Sequence, residues 1–110
     1  MAGFLASCGS PNTPTAVVEG MIKAMAEGDI EAAANYVNPE ERSEFLSYLT
    51  NLPEEELEEE LSLMKELFQG VETRGEEIDG NTAEVQIYHP EEGEDIIDLI
   101  LIEGQWFVEL

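Results

Sequence analysis

The sequence predicts an α+β fold, with N-terminal helices packed on a curved antiparallel sheet of about four strands. Apolar residues recur at three- and four-residue steps from Val17 to Phe68, and from Val71 onward the period drops to two. The third observation is Glu103-Gly104, a two-residue loop from which the register of the last two strands can be counted. With 110 residues only one hydrophobic core can be built. Residues 1–13 divide off as a signal remnant, a cysteine and a flexible tether, and residues 14–110 form the single domain.

Thr13 caps a helix that begins at Pro14, and Val17, Val18, Met21, Ile22 and Met25 form its apolar stripe. Gly28 supplies the left-handed residue that ends it, and Asp29 at once caps a second helix running through Ile30, Ala33, Ala34 and Val37. Asn38-Pro39-Glu40-Glu41 opens a third, with Phe45, Leu46 and Leu49 inward. Pro53 opens a fourth, whose stripe is Leu57, Leu61, Met64, Leu67 and Phe68, and Gly70 stops it.

Val71 to Ile78 is mostly polar and suits an edge strand, whose charges discourage aggregation. Asp79-Gly80-Asn81 marks a turn into a half-buried strand with Ala83, Val85 and Ile87 on one side. Turning the chain at Glu103-Gly104 pairs Ile102 with Gln105. Leu101 then faces Trp106, Leu99 faces Val108 and Ile97 faces Leu110, an ionless core side. The other side sets Ile100 against Phe107, with Ile102 beside them, and Asp98 against Glu109. An exposed Ile100/Ile102/Phe107 group is expected to need a cover, and a homodimer through this outer sheet face would supply one.

Charge excludes several classes of partner. There are 26 acidic residues against four basic ones, Lys23, Arg42, Lys65 and Arg74, for a formal net charge of -22. Such a surface repels phosphate backbones and anionic headgroups, so neither nucleic acid nor electrostatic membrane docking is expected. A halophilic or saline origin would let close carboxylates coexist, and a mesophilic protein that is merely acidic is the alternative.

Leu5-Ala6-Ser7-Cys8 followed by Gly9-Ser10 has the form of a bacterial lipobox, and Gly9 to Thr15 has the composition of a tether. Met1 to Leu5 looks like the tail of an apolar signal core, whose basic start and run of about 7 to 15 apolar residues are incomplete here. The expectation is a lipid anchor at Cys8 and a place in the cell envelope, with an upstream leader in the full-length precursor. The alternative is an ordinary thiol near the chain end. No apolar run approaches the roughly 20 residues of a membrane span, so any membrane attachment would be through lipid alone.

AMAEGDIEAAANYV, DGNTAEVQIY and the closing LILIEGQWFVEL together resemble the nuclear transport factor 2-like, or cystatin-like cone, superfamily over roughly Pro14 to Leu110. Within it the likeness is greatest to small bacterial lipoproteins with an uncharacterised lumazine-binding-like domain. The resemblance implies a cone-shaped sheet around helices with a cavity, used for catalysis in some members and binding in others, and dimerisation through the outer sheet in many. Catalytic relatives such as ketosteroid isomerases and epoxide hydrolases carry acidic or tyrosine residues on the cavity wall. The rows deduced to face inward here, Ala83/Val85/Ile87, Ile97/Leu99/Leu101 and Trp106/Val108, hold no titratable group.

The candidate cavity lining is Tyr36, Tyr48, Val85, Ile87, Leu99, Leu101 and Trp106, suited to a small apolar ligand, while core packing is the more common fate of aromatics such as Tyr36, Tyr48 and Trp106. No catalytic residue, cofactor or metal ligand is assigned. His89 has no second histidine and reads as a solvent-exposed loop residue, and the glutamates of Glu54 to Glu60 diverge around a helix instead of converging on calcium. The function expected is a non-enzymatic envelope-associated domain that binds a small ligand or a protein partner. A small cone-fold hydrolase or isomerase acting on an apolar substrate is the alternative.

Overall fold

The computed structural model describes residues 13–110, in the order of four helices followed by four strands. Helix α1 spans Pro14–Glu27, with Thr13 Oγ1 accepting from the Ala16 amide at 3.1 Å. Gly28, at φ 77°, ends it in the left-handed conformation. The Asp29 amide donates back to Ala24 O at 2.9 Å while its side chain accepts from the Ala32 amide at 3.2 Å. One residue thus closes α1 and opens α2, Ile30–Ala34.

Helix α2 stops three residues short of the expected Val37. The backbone after it is taken by the sheet: Val108 donates to Tyr36 O at 2.7 Å and Asn38 donates to Val108 O at 2.8 Å. Arg42 completes the diversion, its Nε donating to Ala34 O at 2.8 Å and Nη2 to Val37 O at 3.2 Å. Bonds to tertiary partners replace those another helical turn would have made. Helices α3, Pro39–Thr50, and α4, Glu54–Phe68, begin where proline and the acidic first turns predict.

The sheet is an antiparallel meander of β1 (Glu72–Asp79), β2 (Thr82–His89), β3 (Gly93–Ile102) and β4 (Gln105–Val108), in that spatial order. Ile102 pairs with Gln105, Leu101 with Trp106, Ile100 with Phe107 and Leu99 with Val108, the register counted from Glu103-Gly104. The expected Ile97–Leu110 pair does not form. β4 ends at Val108, Leu110 is 63 % exposed, and Ile97 instead lies beside Val85 of β2.

Val17 and Val18 of α1 press onto Ala83, Val85, Leu99, Trp106 and Val108 to make the main core. A second cluster joins Ala24, Met25 and Ala33 to Phe45 of α3 and to Met64 and Phe68 of α4. Because Val85 and Leu99 are wholly buried, truncation there leaves a hole that close packing fills only in part. Leu99→Ala is expected to cost about 2 to 5 kcal/mol, read as a lowered denaturation midpoint in urea with an unchanged slope.

Candidate binding surfaces

Most of the residues expected to line a cavity are taken up in packing, although Leu99 and Ile87 also border open depressions. Val85, Leu99 and Trp106 are buried in the main core, with Ile87, Leu101 and Tyr36 packed against it. Tyr36 lies so close over α1 that a Cβ on Gly20 would stand 2.7 Å from its ring. Tyr48 departs further: it is 58 % exposed on α3, a helix whose one buried residue is Leu49. The inner side of the sheet is a packed interface with α1.

The proposed dimer patch also changes. Phe107 is only 9 % exposed, and Ile100 and Ile102 are half-buried, so the three do not form an exposed apolar group. What the outer side of the sheet displays is charge. Glu77 pairs with Glu84 and Glu84 with Asp98, and the Glu109 amide donates to Asp98 O at 2.8 Å, which lines four carboxylate residues across β1, β2, β3 and the residue after β4. These residues border an open depression of 710 Å³ together with Ile78 and Leu110. Among the described residues no three His, Cys, Asp or Glu side chains are grouped to hold a metal ion.

The few cations do little to offset this charge. Among the described residues the one ion pair joins Arg74 Nη2 to Glu72 Oε2 at 3.2 Å, and Arg74 also stacks over the Tyr88 ring at 4.5 Å. Arg42 is committed to backbone carbonyls, and the Lys65 stem lies against Gly28. Directly opposed like charges destabilise a sheet, and dissolved ions screen them. The melting temperature is therefore expected to rise between low and molar sodium chloride; equal values would show that the carboxylate rows cost the fold nothing.

Two features of β1 and β2 were not anticipated. A bulge between Thr73 and Gly75 shifts β1 so that Glu76 comes to face α1. Its carboxylate accepts from both the amide and the hydroxyl of Thr15, a charge placed at the positive end of the helix dipole, and Thr73 Oγ1 donates to Glu19 at 2.9 Å. Gly75 within an otherwise regular strand was the available signal.

His89 is the second. It ends β2 half-buried, not free in a loop: Nδ1 accepts from the amides of Glu91 and Glu92, both at 3.0 Å, and Nε2 lies 2.6 Å from Leu67 O. Two N–H groups aimed at Nδ1 leave the proton on Nε2, which donates to the carbonyl near the end of α4. A ring nitrogen accepting from amides two and three residues ahead reproduces the geometry of an Asx turn, so His-Pro-Glu-Glu-Gly was the readable cue. His89→Ala is expected to speed hydrogen exchange at the Glu91 and Glu92 amides without unfolding β1 to β3, as followed by amide-resolved NMR.

One further depression, of 500 Å³, lies where α4 meets the β2–β3 turn, with Leu63, Leu67, Pro90 and His89 among its lining. Leu67 was expected inside the α4 stripe, yet it is 43 % exposed and Leu63 59 %. The half-buried positions of α4 include Leu57, Leu61, Met64 and Phe68, of which Met64 and Phe68 pack against Ala24, Met25 and Ala33, and none of the helix is fully buried.

The chain belongs to the family described as Domain of unknown function (DUF4878), whose model matches residues 6–109. A comparison with curated proteins finds no match. Among solved structures it is similar to a Campylobacter jejuni protein provisionally named an NTF2-like transpeptidase, with TM-score 0.55 and 12 % identity over 89 % of this chain and 98 % of that one. A SEC-C motif containing protein from Rhodopseudomonas palustris is also similar, with TM-score 0.59 and 14 % identity over 96 % of this chain and 81 % of that one. The architecture is thus NTF2-like, and at such identities the likeness concerns the fold.

Proposed function

We propose that this domain is a non-enzymatic binding module of the cell envelope, held by lipid at Cys8 and recognising a protein partner through its outer surfaces. The observation that carries the binding mode is the filled interior: Val17 and Val18 lie directly on Val85 and Leu99, all at most 1 % exposed, where a ligand-binding cone would keep space. Support for the tether comes from Leu5-Ala6-Ser7-Cys8 ahead of Gly9-Ser10-Pro11-Asn12; these residues lie outside the described part of the chain. The lumazine-binding-like lipoproteins that the sequence resembles agree with this placement.

Electrostatics favour a different protein over a second copy of this chain. Two outer faces brought together would oppose the Glu77/Glu84/Asp98 rows, and a net charge of -22 on each copy adds long-range repulsion. Expression from the gene with its upstream region, in cells fed an alkyne-tagged fatty acid, tests the anchor. The tag is expected in the membrane fraction and lost with Cys8→Ala; a wild-type protein that takes up no tag and stays in the soluble fraction overturns it.

A further inference from the structure

We infer that the depression between α4 and the β2–β3 turn is a docking surface for a cationic amphipathic segment of a partner protein, one that lays apolar side chains on Leu63, Leu67 and Pro90. Three observations converge on it. Leu63 and Leu67, one helical turn apart, are more exposed than residues of their size are in a settled core, and they share a 500 Å³ depression with Pro90.

The surroundings fix the sign of the partner. Glu66 and Glu91 stand at the rim, and helical spacing places Glu56, Glu59 and Glu60 on the same side of α4, one to two turns before Leu63. None of them is ion-paired among the described residues. A segment lying along α4 would meet an apolar floor and then a row of carboxylates. Lysine or arginine beside leucine-like residues complements both, whereas an acidic or purely apolar segment complements at most one.

The depression is also preformed. His89 Nε2 binds Leu67 O at 2.6 Å, and Gly70 passes so near Pro90 that an added Cβ would come within 3.1 Å of the ring. Helix and turn are thus held at one spacing before any partner arrives, which lowers the ordering cost of binding. The location suits a tethered protein. Gln69 Nε2 bonds Ala26 O at the C-terminal end of α1, so the depression lies by that end, about 20 Å of helix from the Thr13 end where the tether joins.

The inference rests on the proposed protein-binding role but not on the lipid anchor, and its test uses the full 110-residue chain in solution. The probe is a fluorescein-labelled 18-residue peptide of lysine and leucine with leucines at helical spacing. It is compared at 0.15 M sodium chloride with a peptide of equal charge in which serine replaces every leucine. The Lys/Leu peptide is expected to bind at least tenfold more tightly by fluorescence anisotropy. The double variant Leu63→Ser/Leu67→Ser should reduce it to the level of the Lys/Ser peptide, while Tyr48→Ser, another exposed apolar site, should leave it unchanged. Circular dichroism checks that each variant stays folded.

Equal binding of the two peptides would overturn the inference, because attraction to the net negative charge would then explain everything. So would full retention of Lys/Leu binding by the double variant. Sedimentation velocity supplies the remaining outcome: a wild-type dimer that the double variant dissociates would make a second copy the occupant and overturn the cationic partner.

Discussion

The two-residue turn at Glu103-Gly104 determines which side of every strand meets α1. Both residues adopt left-handed backbone, Glu103 at φ 50° and Gly104 at φ 82°, the conformation that lets a tight hairpin follow the natural twist of its strands. Once Ile102 is set against Gln105, side-chain alternation places Leu99, Trp106 and Val108 inward and Asp98 outward. Leu99 lies opposite Ala83 and Ile97 opposite Val85, so the same parity passes to β2. A shift of one residue would put Asp98 and Glu84 against Val17 and Val18, and burying two unpaired carboxylates would cost more than the domain's whole stability.

That parity separates two environments which behave differently. Inside, aliphatic side chains pack around Trp106, and among the described residues no buried side-chain nitrogen or oxygen is left without a partner. Outside, carboxylates stand opposite one another with almost no cations between them, so the fold is sustained by its core and opposed by its surface. The cations are used elsewhere: Arg42 binds the carbonyls that α2 leaves open, and Arg74 spans Glu72 and Tyr88. Apart from Glu72, the carboxylates among the described residues have no ion-pair partner and can be met by a partner that brings the opposite charge.

The helical half is held less evenly. α1 is held along its length, to the sheet by Glu76 at its first turn and by its valines, and to the end of α4 by Gln69 at its last turn. Helix α4 rests on α1 through one stripe and leaves Leu63 and Leu67 outward. His89 ties the end of this helix to the β2–β3 turn, which makes the lone histidine a positioning residue for the surface that Leu67 and Pro90 share. Two of its three partners are amides of the adjoining turn, and the third, Leu67 O of α4, lies 22 residues away in sequence.

Local rules were enough for the caps, the Gly28-Asp29 junction, the four helices, the change of period at Val71 and the hairpin register, because each depends on residues within a few positions of one another. The Asp98 and Glu109 opposition was equally readable, since it follows by counting from the turn. Four things required the tertiary structure. Val37 left its helix because Val108 offered it a sheet partner, and Phe107 lost its exposure although it faces away from α1. Glu76 turned toward α1 through a bulge, and most of the supposed cavity lining, Tyr48 apart, was taken up in core packing. Each was decided by which distant surface arrived opposite a residue, and a one-dimensional pattern records the spacing of apolar groups but not how much room their packing leaves between them.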